Sequence, residues 1–174
     1  MGRLPELFDQ LASVPGALSF LTEISYHRYN SSGDPNDIVS RALAHGKRTA
    51  MLEKWDADGN AALLYRDLTE VRASAWEQSQ FIDGAPACQF NQMMFLNNGV
   101  VEYCPNTRLI RQYTKHVRPG AQRIEATSRN PALAPVAFIT SDGGYVVVVK
   151  ADGTGSFSVG GLPAGTYGIF YASA

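Results

Sequence analysis

Thr49-Ala50-Met51-Leu52-Glu53-Lys54-Trp55 is a short apolar run with one carboxylate at its C-terminal end and an indole two residues later. Lys47 and Arg48 precede it, and the turn-formers Asp56, Asp58, Gly59 and Asn60 follow. An apolar run of this length between such punctuators predicts a buried strand over 49–53. In α/β folds the carboxyl ends of buried strands carry the chemistry. Glu53 is therefore the first candidate for a functional carboxylate.

The flanks of this strand read as alternating helices and strands. Asp34-Pro35-Asn36-Asp37 opens a helix, with Asp34 as N-cap, Pro35 at the first helical position and Asp37 near the positive end of the dipole. Ile38, Val39, Ala42 and Leu43 form its apolar stripe, and Gly46 stops it. Before it, residues 17–26 alternate in part (Leu18, Phe20, Leu21, Ile24, Tyr26) and predict a strand leading into His27-Arg28-Tyr29. Ser31-Ser32-Gly33 reads as a loop. The chain opens with an amphipathic helix over 4–13, ended by Pro15-Gly16. Downstream, Ala61, Leu64, Tyr65, Leu68 and Val71 predict a helix over 61–72, and 74–81 predicts a strand carrying Trp76 and Glu77. Residues 17–81 thus read strand, helix, strand, helix, strand, and helical crossovers of this kind join parallel strands. Three such units do not close a (β/α)8 barrel, which needs about 250 residues.

Residues 83–105 are loop-rich and mixed, and 108–116 look helical through Leu109, Ile110 and Tyr113. Arg118-Pro119-Gly120 marks a change of grammar. Beyond it, short strand signals over 122–127, 136–140, 145–150, 156–159 and 166–172 are separated by Asp142-Gly143-Gly144, Asp152-Gly153 and Gly160-Gly161. Strands of this length with such turns indicate a small antiparallel β-sandwich. The sequence shows no internal repeat and no low-complexity tract.

Composition bounds the function. The chain has 174 residues, 45% hydrophobic and 18% charged, with a net charge of -1. That length suits one domain or two small ones. A near-neutral chain without a basic cluster argues against nucleic acid, and no apolar run of about 18 residues exists to span a membrane. Met1 to Phe20 lacks the basic start and apolar core of a secretory signal. Cys88 and Cys104 lie 16 positions apart, and either one disulfide or two thiols fits that spacing. No metal-ligand spacing or cofactor motif is present, so neither a metal nor a cofactor is expected.

Taken together, His27-Arg28-Tyr29, Glu53, Trp76 and the phrase His116-Val117-Arg118-Pro119-Gly120-Ala121 resemble the C-terminal half of clan A retaining glycoside hydrolases. The resemblance is closest to the family 30-like group of glucosylceramidases and xylanases. It covers nearly the whole chain, and its most specific part is the phrase beginning at His116. It implies α/β plus all-β architecture: about the last three units of a partial (β/α) barrel over 1–117, then a C-terminal β-sandwich over 118–174. It also implies that Glu53 is the nucleophile, that His27, Tyr29, Trp55 and Trp76 bind substrate, and that the partner is a carbohydrate. In that group the acid/base glutamate follows an asparagine at the end of the fourth strand. No Asn-Glu pair occurs in this chain, so the acid/base is expected outside it. By resemblance the chain is a fragment or reduced relative of a retaining glycosidase, weak or inactive alone, whose parent is expected to be secreted.

Each candidate has a plainer alternative. Retaining hydrolysis needs two carboxyls about 5–5.5 Å apart, whereas a lone strand-end glutamate also suits an ion pair or a helix cap. His27 serves equally as a structural histidine, and Tyr26 and Tyr29 as core tyrosines. Trp55 and Trp76 offer flat faces to sugar C–H groups, or cover a barrel rim. Glu77 is a further acid, but strand alternation points it away from whatever Trp76 faces. Two other functional classes remain open: a non-catalytic carbohydrate-binding protein, or a structural product whose unpaired sheet edges favour self-association or a complementary N-terminal segment.

Overall fold

The computed structural model describes residues 3–29, 34–54, 60–78, 81–83, 87–88 and 92–173. Two compact units emerge, Met1–Thr107 and Arg108–Ala174, and the division falls within a helix, Pro105–Thr114.

The first unit is built on a parallel sheet. Helix α1 (Leu4–Ala12) and a short 3-10 turn (Ala17–Phe20) precede strand β1 (Glu23–His27). Then come α2 (Pro35–Ala44), β2 (Arg48–Glu53), α3 (Ala61–Thr69) and β3 (Ala75–Trp76). The sheet order is β1-β2-β3, with both pairings parallel, as the alternating grammar predicts. The predicted first strand over 17–26 is shorter and later than expected. Gly16, at φ 82, turns Ala17–Phe20 into 3-10 geometry, and extended backbone begins only at Glu23. The predicted strand over 74–81 keeps just two residues, although the ladder runs on through the Glu77 amide, which donates to the Met51 carbonyl at 2.9 Å.

Caps explain where the helices start. The Asp34 carboxylate accepts from the Asn36 amide, and the Asn60 side chain accepts from the amides of Ala62 and Leu63. One face of the sheet packs against the helices, in a core of Phe8, Ile24, Tyr26, Ile38, Ala42, Met51 and Val71. The last strand residues of this unit are β4 (Ile82–Asp83), β5 (Met94–Asn97) and β6 (Val100–Tyr103). Residues 83–105, expected to be loop-rich, therefore hold an antiparallel hairpin. Asn98 at φ 48 and Gly99 at φ 82 form its two-residue turn, the positive-φ pair that matches strand twist. Cys88 and Cys104 are joined in a disulfide with Cα atoms 5.6 Å apart.

The second unit contains most of α4 (Pro105–Thr114) and strands β7 (Gln122–Ile124), β8 (Leu133–Ile139) and β9 (Tyr145–Ala151). These form one antiparallel sheet in the order β7-β8-β9. Val136, Ala137, Phe138 and Val148 are its buried residues, and Ile110 and Tyr113 are the buried residues of α4. The predicted strands over 156–159 and 166–172 do not form; residues 154–173 carry no ladder and are largely exposed. A single sheet therefore stands where two layers of a sandwich are predicted. No closed barrel is present among the described residues, and none of their helices is long and apolar enough to cross a membrane.

Candidate functional site

The carboxyl ends of β1 and β2 meet through an irregularity in their pairing. Tyr26 lies opposite Met51, yet the next residue, His27, lies opposite Glu53, so the register shifts by one between them. A bulge of this kind re-aims one side chain. Regular alternation from Met51 would send Glu53 to the helix-covered face with Tyr26 and Met51. The shift sets it beside His27 instead. A backbone bond from the Arg28 amide to the Glu53 carbonyl, 3.1 Å, holds the two strand ends together.

Four side chains gather there: His27, Tyr29, Glu53 and Lys54. The Tyr29 hydroxyl donates to Glu53 Oε1 at 2.7 Å. The His27 ring meets the Tyr29 ring edge-on, with centroids 5.8 Å apart. The Lys54 ammonium stands 5.2 Å from the Tyr29 ring centroid, within cation–π range. Glu53 is half-buried, and so is this hydrogen bond. A carboxylate with one oxygen held by a phenol has its second oxygen fixed in direction, which suits a nucleophile that must approach along a defined line.

Trp76 is placed elsewhere. It lies opposite Met51 in the β2–β3 register and packs against the core cluster on the helix-covered face. Its indole N–H donates to Asp67 Oδ2 at 2.9 Å. The structure therefore brings His27, Tyr29 and Glu53 together and sets Trp76 across the sheet from them. The indole of Trp76, expected to line a sugar site, is engaged here by Asp67. By alternation Glu77, which is exposed, falls on the face of Glu53 rather than that of Trp76. Trp55 lies outside the described residues.

Asp67 is the residue that sequence inspection missed. It is fully buried on α3 and accepts from three donors: Tyr26 Oη at 2.8 Å, Arg28 Nε at 2.7 Å and Trp76 Nε1 at 2.9 Å. Burial first, and the Asp67 charge next, push the Tyr26 phenol well above its ordinary range, so it stays a donor. A signal was present. Asp67 lies three and four residues after Leu64 and Leu63 on α3, which puts an acid on the apolar stripe. Buried carboxylates demand paired donors.

No family model and no curated protein matches this sequence. Solved structures do match in fold. Xyn30A, a glycoside hydrolase family 30 subfamily 8 xylanase from Clostridium acetobutylicum, superposes with a TM-score of 0.68 at 21% identity, over 88% of this chain and 39% of its own. The catalytic domain of GH30 xylanase C from Talaromyces cellulolyticus gives 0.65 at 23% identity, over 82% of this chain and 35% of its own. SrfJ from Salmonella typhimurium gives 0.66 at 15% identity, over 84% of this chain and 37% of its own.

In fold the chain is similar to GH30 xylanases. It spans little more than a third of the length of these GH30 proteins. The expected family resemblance is thus met at the level of fold.

Proposed function

We propose that this chain carries the nucleophile part of a retaining glycosidase site, with Glu53 attacking the anomeric carbon of a bound sugar. The observation that carries the proposal is the Tyr29 hydroxyl on Glu53 Oε1 at 2.7 Å, at the carboxyl ends of neighbouring parallel strands. The carbon–oxygen bond to the leaving group breaks as the bond to Glu53 forms, giving a covalent glycosyl-enzyme. His27 and Tyr29 are the sugar contacts beside the carboxylate, and Trp55 is assigned a stacking role from sequence alone. Trp76, with its indole N–H held by Asp67, acts in support of the strand ends rather than on the sugar. The proton donor to the leaving oxygen is a carboxyl contributed from outside these 174 residues. The parallel sheet, with a single ladder partner for β1 and for β3 among the described residues, takes further strands from that source or from a second copy.

The test uses a leaving group that needs no acid. Dinitrophenyl β-xyloside and β-glucoside are mixed with the chain, xylosides heading the panel because two of the similar folds are named as xylanases. One equivalent of phenolate released in a burst, absent in Glu53→Gln, is the expected result. Equal release by the Glu53→Gln chain removes the nucleophile. Binding without any burst favours the other class, a non-catalytic carbohydrate-binding protein derived from such an enzyme.

A further inference from the structure

We infer that Asp67 is a positioning residue for Glu53: from the helix-covered side of the sheet it clamps Arg28, and through Arg28 it sets Tyr29 on the carboxylate. The inference rests on Glu53 acting as proposed above. Asp67 is 0% exposed and holds the carboxyl ends of two strands at once. Its Oδ1 accepts from Tyr26 and Arg28 near the end of β1, and its Oδ2 accepts from Trp76 at the end of β3. β2 lies between those strands, so the clamp spans the strand that carries Glu53.

Arg28 is the link. It follows His27 and precedes Tyr29, and its side chain goes to Asp67 while its amide goes to the Glu53 carbonyl at 3.1 Å. One residue is thus tied to the helix layer by its guanidinium and to β2 by its backbone. Arg28 and Tyr29 form the bend that follows β1, and with the Arg28 side chain held on Asp67 the Tyr29 hydroxyl reaches Glu53. The register shift at Tyr26/His27 lies inside the clamped segment. A bulge leaves one residue unpaired and disrupts the ladder locally, so an anchor on each side holds this one in place. Arg28 Nη2 is buried with no hydrogen-bond partner, although the Glu70 carboxylate is 3.9 Å away. Its side chain is therefore held chiefly through Nε on Asp67.

Asp67→Asn keeps the shape but removes the charge and half the acceptor capacity. Two readouts apply to the full chain. The first is the burst rate with dinitrophenyl β-xyloside. Asp67→Asn and Tyr29→Phe should each slow it about tenfold or more, and the double variant should be no slower than the slower single within about twofold. Thr49→Val is the stability control. It removes another buried bond of this sheet, Thr49 Oγ to the Val71 carbonyl at 2.8 Å, and should leave the burst rate within about twofold. The second readout is the NMR shift of the Glu53 carboxyl carbon, which should move in Asp67→Asn and Tyr29→Phe but not in Thr49→Val. Where Asp67→Asn does not fold, Arg28→Lys carries the same test, since it leaves the Tyr26 and Trp76 bonds in place. Multiplicative losses in the double variant, equal slowing by Thr49→Val, or an unmoved Glu53 resonance overturns the positioning role. A chain with no burst but a Glu53 resonance that moves as stated loses the nucleophile assignment and keeps the positioning of Glu53.

Discussion

Glu53 has two oxygens, and Tyr29 occupies one of them at 2.7 Å. A hydrogen bond to a charged acceptor contributes about 1.5–3 kcal/mol. Tyr29→Phe should therefore slow glycosyl transfer to Glu53 by roughly ten- to hundredfold, with a smaller loss of affinity from its contact with the sugar, because the phenol acts chiefly on the attacking group. Burst rate against sugar concentration separates the two effects, and a weakened affinity at unchanged limiting rate would make Tyr29 a sugar ligand only. Glu53 was legible as a candidate because it ends an apolar run. Its direction was not, because direction depends on a one-residue register shift that pairs His27 with Glu53. Nothing in Thr49 to Trp55 announces that shift, since a bulge is a property of two strands in contact. The same limit holds for Trp76: alternation along 74–81 separates it from Glu77, but which face it takes is decided by its partners, Met51 opposite and Asp67 at its indole N–H.

The elements were more legible than their directions. α2 begins and ends where Asp34, Pro35 and Gly46 place it, and α3 begins at the Asn60 cap. Strong local chemistry writes these boundaries directly into the sequence. The β5–β6 hairpin was equally written, in Asn98-Gly99, but two short flanking runs made its surroundings look like loop. Between α1 and α2, Arg41 makes a bidentate pair with Asp9, Nε to Oδ1 at 2.8 Å and Nη2 to Oδ2 at 2.6 Å. The Arg41 hydrogen bond holds the Asp9 carboxyl below its ordinary value of 3.8. A depressed carboxylate contributes stability above its unfolded value and loses it as the pH falls through the folded one. The melting temperature of the chain should therefore exceed that of Asp9→Asn near neutral pH, with the gap closing below pH 3.8 and shrinking in high salt. A gap that persists in acid would show that the pair does not tie the helices.

At the scale of the whole molecule, each unit exposes large apolar side chains of its own. Phe20 is 91% exposed in the first unit, and Ile169 and Tyr171 are 89% and 90% exposed in the second. The latter two lie in the segment where strands were predicted and none forms. Apolar alternation there was legible, but a strand needs a partner, and no sequence pattern supplies one. The first unit adds a parallel sheet whose two outer strands each have one ladder neighbour among the described residues, and unpaired edges and exposed apolar side chains on either unit should favour association. Sedimentation velocity across a concentration series should show the boundary moving to larger species, and one sharp monomeric boundary throughout would contradict it. The central claim is chemical, and covalent capture tests it most directly. The chain is incubated with an activated deoxyfluoro glycosyl fluoride, digested, and mapped by mass spectrometry. One added glycosyl residue on the peptide that contains Glu53, with fragmentation placing it on that side chain, is the predicted result. A fully reacted sample whose adduct sits on another residue, or saturating reagent that leaves Glu53 unmodified, would contradict it.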